Sequence, residues 1–351
     1  NSTLTAPGEV KLDAVSDASI SAIVGAVSAA VGAGGKAGVG VSIGAAIALN
    51  NIGSDQTDGN YTSQVLAYVD GSKIDAAKSL TLNAMGNQNI DAVVLAGSVA
   101  AAGGGVAGVG VSAAGAVAIN KIGTHIAAYL TAPSLVAIKA ENISLVAHDM
   151  STISTIAGAA SIAAALGGKA GVAVSVGVAV ATNEVHNKVE TYINKIDVMA
   201  PTRDIVLDAK TGGAINAISA AASVSIGVGG KAGVAVSGAG AAAKNVILSN
   251  TNAFIDGSKL NTAGKVDIDA LSESKIDAII VAASVAAGVG GTAGVGASVG
   301  VAVARNFIGW QPTDNTSNYT TDNYTTDNAP NAIEKKTRVK VLGGVFDGNV
   351  Y

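Results

Sequence analysis

Cysteine is absent from the 351 residues. That excludes disulfide staples, thiolate nucleophiles and every metal site built on sulfur. It also suits a chain that is exported unfolded and folds outside the cell. Aromatic residues make up 3% of the sequence and charged residues 13%. An ordinary globular domain is about 25% charged, so this chain has little to solvate a surface with and few rings to fill a core. The 21 basic residues do not outnumber the 25 acidic ones, and no basic cluster occurs. Nucleic acid and anionic membrane surfaces are therefore not expected partners. No charged-then-apolar leader opens the sequence.

What is present is small and apolar. Glycine contributes 45 residues, and 49% of the chain is hydrophobic, mostly Ala and Val. Glycine has no three-residue period, which rules out collagen. High apolar content with a net charge of only −4 rules out disorder. The core must be thin and depend on close backbone approach.

A repeat organises the chain. Gly-Gly-x-Ala followed by Gly recurs at Gly34, Gly104, Gly167, Gly229 and Gly290, at spacings of 70, 63, 62 and 61 residues. An Ile lies fourteen residues before each anchor (Ile20, Ile90, Ile153, Ile215, Ile276). One Ser lies six before it (Ser28, Ser98, Ser161, Ser223, Ser284) and another eight after it (Ser42, Ser112, Ser175, Ser237, Ser298). Asn closes each block at Asn50, Asn120, Asn183, Asn245 and Asn306. A looser half follows, an aromatic-centred strand and then a short strand ending in Ala14, Ala84, Ala147, Ala209 or Ala270. The modules run 15–84, 85–147, 148–209, 210–270 and 271–351, about 62 residues each, after the tail of a preceding module at 1–14. The last carries a polar insertion at 309–331 and the start of a next module. The expectation is a segment of a longer array.

Beyond each anchor the residues alternate. Val172, Val174, Val176, Val178 and Val180 share one face, while Gly171, Ala173, Ser175, Gly177 and Ala179 share the other. Period two with Val enrichment and Gly marks a strand and disfavours a helix. The two halves of each block are expected to form a long hairpin. Its turn is the Gly-Gly tetrad at positive φ, with Ser28 opposite Ser42. Because the post-turn strands carry almost no charge, both their faces are expected to be covered. The fold class is thus all-β, an elongated β-solenoid-like array with long Ala/Gly-rich hairpins and almost no helix.

The phrase Ala-Phe-Ile-Asp-Gly-Ser-Lys-Leu with Gly-Lys-Val-Asp-Ile-Asp-Ala, over 253–270, resembles the rungs of filamentous-haemagglutinin-like β-helices. The Ala/Gly blocks resemble those of giant bacterial surface repeat proteins. The resemblance implies a secreted, cell-surface, adhesin-like protein, and the long Ala/Gly hairpin departs from a plain rung.

No catalytic, cofactor-binding or metal-ligating residue is assigned, and the chain is read as not an enzyme. Gly32-Ala-Gly-Gly-Lys36 and Gly227-Val-Gly-Gly-Lys231 look like phosphate loops, but Ala37 and Ala232 stand where the hydroxyl residue is needed and a strand follows. His125, His148 and His186 occupy unrelated repeat positions and show no metal-ligand spacing. Asp267 and Asp269 alternate on one strand face but correspond to Thr81 and Asn83, or Ser144 and Val146, in other copies. The stretch 311–328 is rich in oxygen donors and glycan acceptor patterns, as is Asn60-Tyr-Thr62, and Trp310 could join Tyr319 and Tyr324 on a sugar. The expected function is a structural or adhesive rod or fibre. Its expected partners are neighbouring modules, further copies in a fibre, and a cell-surface or glycan ligand. The alternative is a protein whose uncharged hairpins enter a bilayer, disfavoured because a Gly/Ala/Ser face makes poor lipid contact.

Overall fold

The computed structural model describes residues 2–53 and 63–309, with the backbone of 324–325 and 339–340. The chain divides into two compact units, Asn1–Gly309 and Trp310–Tyr351. Among the described residues there is no helix.

The first unit opens with β1 (Thr3–Ala6) and β2 (Val10–Ser16). The first block supplies β3 (Ser19–Gly34) and β4 (Ala37–Gly53), followed by β5 (Ser63–Asp70), β6 (Lys73–Ala76) and β7 (Ser79–Gly86). The second supplies β8 (Asn89–Gly104), the unbroken β9 (Ala107–Lys139) and β10 (Asn142–Asp149). Then come β11 (Thr152–Gly167), β12 (Ala170–Val185), β13 (Lys188–Ala200) and β14 (Ile205–Thr211). The fourth block gives β15 (Ala214–Gly229), β16 (Ala232–Ile247), β17 (Asn250–Asp256), β18 (Lys259–Thr262) and β19 (Val266–Ser272). The fifth gives β20 (Lys275–Gly290) and β21 (Ala293–Ile308). In the second unit, β22 (Tyr324–Thr325) pairs in parallel with β23 (Val339–Lys340).

Every pairing in the first unit is parallel and joins one module to the next. The strands before the turns form one sheet, in the order β20-β15-β11-β8-β3. Those after the turns run β4-β9-β12-β16-β21. The short closing strands run β19-β14-β10-β7-β2. Register is kept throughout the stack. Ile153 lies beside Ile90 and Ile215, Ser175 beside Ser112 and Ser237, and Ala147 beside Ala84 and Ala209.

The expected hairpin is therefore not formed. β3 pairs with β8 and β4 with β9, and the two arms of one block share no ladder. Their backbone groups point along the stack, and the arms meet side chain to side chain. The turn glycines correct the expectation too. Positive φ among the described residues occurs at Gly53, Gly71, Gly257, Gly309 and Lys195, and at none of the Gly-Gly turns. A two-residue hairpin needs left-handed backbone to match strand twist; a bend that carries the chain from one sheet to a facing one does not. These glycines answer to space instead. A Cβ on Gly34 would run into the Ala37 carbonyl, and one on Gly105 into that of Gly35 in the preceding turn.

Two cores result. One holds large aliphatics, including Leu80, Leu82, Ile126, Leu130, Ile143 and Leu145, all fully buried. Each such side chain contributes about 1.5–3 kcal/mol of burial. The other lies between the two long sheets and narrows toward the turns: inward positions on β15 run Ile215, Ala217, Ser219, Ala221, Ser223, Ser225, Gly227 and Gly229. Side-chain volume falls along the strand, so the pair of sheets makes a tapered fin with its tip at the Gly-Gly turns.

Candidate functional site

The fin interior carries two polar ladders. Ser28 Oγ lies 2.7 Å from Ser42 Oγ across the facing sheets, and Ser98 Oγ donates to Ser42 at 2.9 Å. The chain of hydroxyls continues through Ser112, Ser161, Ser175 and Ser223 to Ser237, each donating to the one before at 2.8–2.9 Å. Nearer the fin base, Asn50 Nδ2 donates to Asn120 Oδ1, and Asn120, Asn183, Asn245 and Asn306 continue the series, every step 2.8 Å. A buried hydroxyl or amide is costly without a partner. The two serines of one module pair across the fin, while Ser98–Ser42, Ser161–Ser112, Ser223–Ser175 and the asparagine steps need the modules in a single register, which agrees with the expected stacking of the repeated Ser and Asn.

A third polar group lies where the fin joins the wider core, and the repeat pattern gave no sign of it. Asp149, Ser151, Gln88 and Asn187 are fully buried. Ser151 Oγ donates to Asp149 Oδ1 at 2.5 Å and also lies 2.8 Å from Gln88 Oε1, while Asn187 Nδ2 donates to Asp149 Oδ2 at 2.9 Å. Burial pushes the Asp149 carboxyl above the usual range, against the pull of the Asn187 and Ser151 donors. The group has the residue types of catalysis, but all four side chains are closed off from solvent. Asp149 occurs in one module only; its counterparts are Gly86 and Thr211.

The residues singled out in the sequence are scattered. His125 Nε2 lies 3.2 Å from Glu190 Oε2, and His148 Nε2 lies 2.9 Å from Asp208 Oδ2. Burial would raise the Glu190 carboxyl, but His125, Lys188 and Asn252 outweigh it and bring it down to about 2. Asp267 and Asp269 lie on β19, beside Val206 and Asp208. Among the described residues no group of three His, Cys, Asp or Glu side chains could hold a metal ion. The Lys36 and Lys231 loops are turns between strands, with no helix after them to receive a phosphate. Trp310, the acceptor-rich stretch 311–328 and the Asn60–Thr62 pattern lie outside the described residues, apart from the backbone of Tyr324–Thr325.

Tyr68, Tyr129, Tyr192 and Phe254 form a ladder with ring centroids 4.6–5.1 Å apart. Burial, with Tyr129, Glu190 and Asp70 nearby, pushes the Tyr192 hydroxyl up to about 12. The inner rings spend both faces on one another and present only edges for stacking on a ligand.

The largest feature is the outside of the fin. Gly, Ala and Ser face inward, so Val, Ile and Leu face out. From Ile23 to Ala33 on β3 and from Ala37 to Ile47 on β4, every outward position in all five copies is Gly, Ala, Val, Ile or Leu. The expectation that both faces would be covered is met on one side only. Val27 is 88% exposed at the stack edge, and Val176 and Val178 are each 42% exposed in its middle. The band is about 33 Å tall at about 3.3 Å per residue. Polar positions such as Ser21, Asp91 and Asp277 bound it on one face, and Lys121, Glu184 and Lys244 on the other. Lys121 and Lys244 reach Glu184 at 3.6 and 3.3 Å.

No protein family, curated protein or solved structure matches the chain.

Proposed function

We propose that the chain is a structural segment of a β-solenoid, in which each module is one coil and the coils stack into a rod or fibre of a secreted or cell-surface protein. The observation that carries this reading is the single register held along the stack: Ser, Asn, Ala and aromatic positions each form a ladder at a one-module offset. A stack of this kind gains stability from nearest-neighbour interfaces and grows by adding units. The asparagine ladder spends its hydrogen bonds on joining coils, and the serine chain alternates between bonds inside a coil and bonds to the next.

The proposal has a dimensional consequence. Neighbouring strands lie about 4.8 Å apart, so five coils advance only about 24 Å while each long strand spans about 50 Å. The unit is a blade, and length comes from repetition. Joining a second set of modules 15–309 in frame should lengthen the particle by about 24 Å along one axis only, as read by electron microscopy or small-angle scattering. Growth in two dimensions, or two separate particles on a tether, would refute stacking.

The membrane-inserting alternative has one new support, since the outward rows are aliphatic and the small face lies inside. Against it, a bilayer leaves no open strand edge unsatisfied. Among the described residues β3, β4, β20 and β21 each have such an edge. The aromatic girdles usual in spanning β-proteins are also missing from the band, which contains no aromatic residue.

A further inference from the structure

The outer face of the β4-β9-β12-β16-β21 sheet is corrugated. At three successive outward levels β12 carries Val176, Val178 and Val180, while its neighbour β16 carries Gly238, Gly240 and Ala242. The next strand, β21, returns to Val299, Val301 and Val303. On the other side of β12, β9 presents Ala113 and Gly115 at the first two of these levels and Val117 at the third. At these levels valine ridges alternate with troughs at every second strand, about 9.6 Å apart by strand spacing; nearer the turns, where Val172 and Val174 lie beside Val234 and Val236, the face is even. The troughs are open: a Cβ built on Gly115, Gly238 or Gly240 meets nothing within 4 Å. Val299 and Val301, on the far ridge, are 64% and 53% exposed.

Ridges and troughs one strand apart make the face complementary to itself. We infer that this face is a lateral docking surface for a second copy of the chain, the β12 ridge of each copy lying in the β16 trough of the other. A two-fold axis parallel to the strands, between β12 and β16, achieves this. It keeps every outward level facing its own level in the partner, so apolar rows meet apolar rows and the Gly-Gly tips lie at one end. It also brings β21 of each copy over the β9 trough of the other.

The overlap covers four strands, about 19 Å by about 33 Å. That is roughly 630 Å² per copy, or about 1,250 Å² in total, at the lower end of the 1,200–2,000 Å² of stable interfaces. The contact would seal aliphatic side chains without leaving a polar group unpaired, because every outward position in the band lacks polar atoms. A lipid surface could also cover an apolar face, but it has no use for corrugation. The lateral contact goes beyond the axial stacking proposed above, because it uses side chains on one face rather than strand edges.

The test is sedimentation velocity of the whole chain between about 1 and 100 µM, without detergent, on wild type and three variants. Wild type is expected to dimerise with a dissociation constant in or below the micromolar range. Gly240→Val fills the trough and is expected to weaken the dimer at least tenfold, with an unchanged circular dichroism spectrum and, at concentrations where wild type is monomeric, an unchanged melting temperature. Val176→Glu, on the ridge, is expected to do the same. Ile162→Glu, on the opposite sheet, is expected to leave dimerisation intact. Each variant's melting curve separates loss of the dimer from loss of the fold. A wild-type chain that is folded and monomeric at 100 µM overturns the inference. So does a Gly240→Val variant that associates as well as wild type, since added apolar area would then help rather than clash. A chain monomeric in water that floats with phosphatidylcholine–phosphatidylglycerol vesicles, more strongly as Gly240→Val, assigns the face to lipid and also overturns it. The doubled-array measurement reads axial stacking separately, so either proposal can fail alone.

Discussion

Ser28 and Ser42 hold their hydroxyl oxygens 2.7 Å apart, although no backbone hydrogen bond joins the strands that carry them. The contact crosses two facing sheets, and it opens a chain of eight serines in which each of the six inner hydroxyls serves both neighbours. The position of a serine along this chain decides what its loss costs.

Ser175→Ala should destabilise more than Ser28→Ala. Ser175 donates to Ser161 and accepts from Ser223, and it is fully buried. Removing it leaves the buried Ser223 hydroxyl without its acceptor and Ser161 without a donor, at about 1–3 kcal/mol for an unsatisfied group. Ser28 lies at the end of the chain, partly exposed, where water can replace it. Urea midpoints for the two variants check the order, and equal losses would mean the ladder carries no cooperative weight.

Glycine should be irreplaceable inside the fin and replaceable outside it. A Cβ on Gly177 comes within 2.5 Å of the Ala222 carbonyl oxygen in the facing sheet. Gly177→Val should therefore cost at least the 1–3 kcal/mol typical of overpacking. Val178→Ala, on the half-exposed outer face, should cost about 1 kcal/mol. Gly240→Val, with open space before it, should leave the melting temperature of the monomer unchanged. A tolerated Gly177→Val would show that the sheets can separate at little cost.

Two carboxylates should give opposite pH dependences. Burial raises the Asp149 carboxyl in the folded state, so the folded chain binds its proton more tightly than the unfolded chain. The linked stability is then present below the ordinary value of 3.8 and is lost as pH rises through the raised one. Glu190 is held down to about 2 against an ordinary 4.5; its contribution is present above 4.5 and is lost as pH falls toward 2. Relative to wild type, Asp149→Asn should lose ground as pH falls, and Glu190→Gln should gain it. Melting curves from pH 3 to 7 read both, and parallel curves for either variant would contradict the assignment.

Lys195 has φ 57°, and its counterparts in the pairing are Gly71 at 56° and Gly257 at 54°. A side chain in left-handed backbone costs about 1–2 kcal/mol, partly offset by the entropy that glycine loses on folding. Lys195→Gly should raise stability by up to about 1 kcal/mol, and Gly257→Ala should lower it by a similar amount. A drop for Lys195→Gly would show that the lysine stem packs usefully against its neighbours.

Much of the fold could be read from spacing. Repeated Ser and Asn at constant offsets from Gly34 and its counterparts demanded a common register, and the alternation around Val172–Val180 separated a small face from a branched one. The partner of each strand could not be read. Ser28 faces Ser42 whether the arms form a ladder or merely face each other, and period two is the same in both cases. The outward exposure of Val176 and Val178 was hidden for a related reason, since alternation distinguishes two faces without saying which is inside. Asp149 escaped notice because it repeats nowhere; one buried carboxylate leaves no periodic trace.

The unbroken parallel ladders also decide how the protein carries load. Between β12 and β16 sixteen residue pairs lie side by side, with the hydrogen bonds of that ladder running along the stack. Tension along the stack strains all of them together, along with the serine and asparagine bridges, so the rupture force is shared across the width of the blade. Tension applied across the stack, peeling a module from the end, breaks the same bonds one after another. On the proposed rod reading, a stack is strong along its axis and yields sideways, module by module.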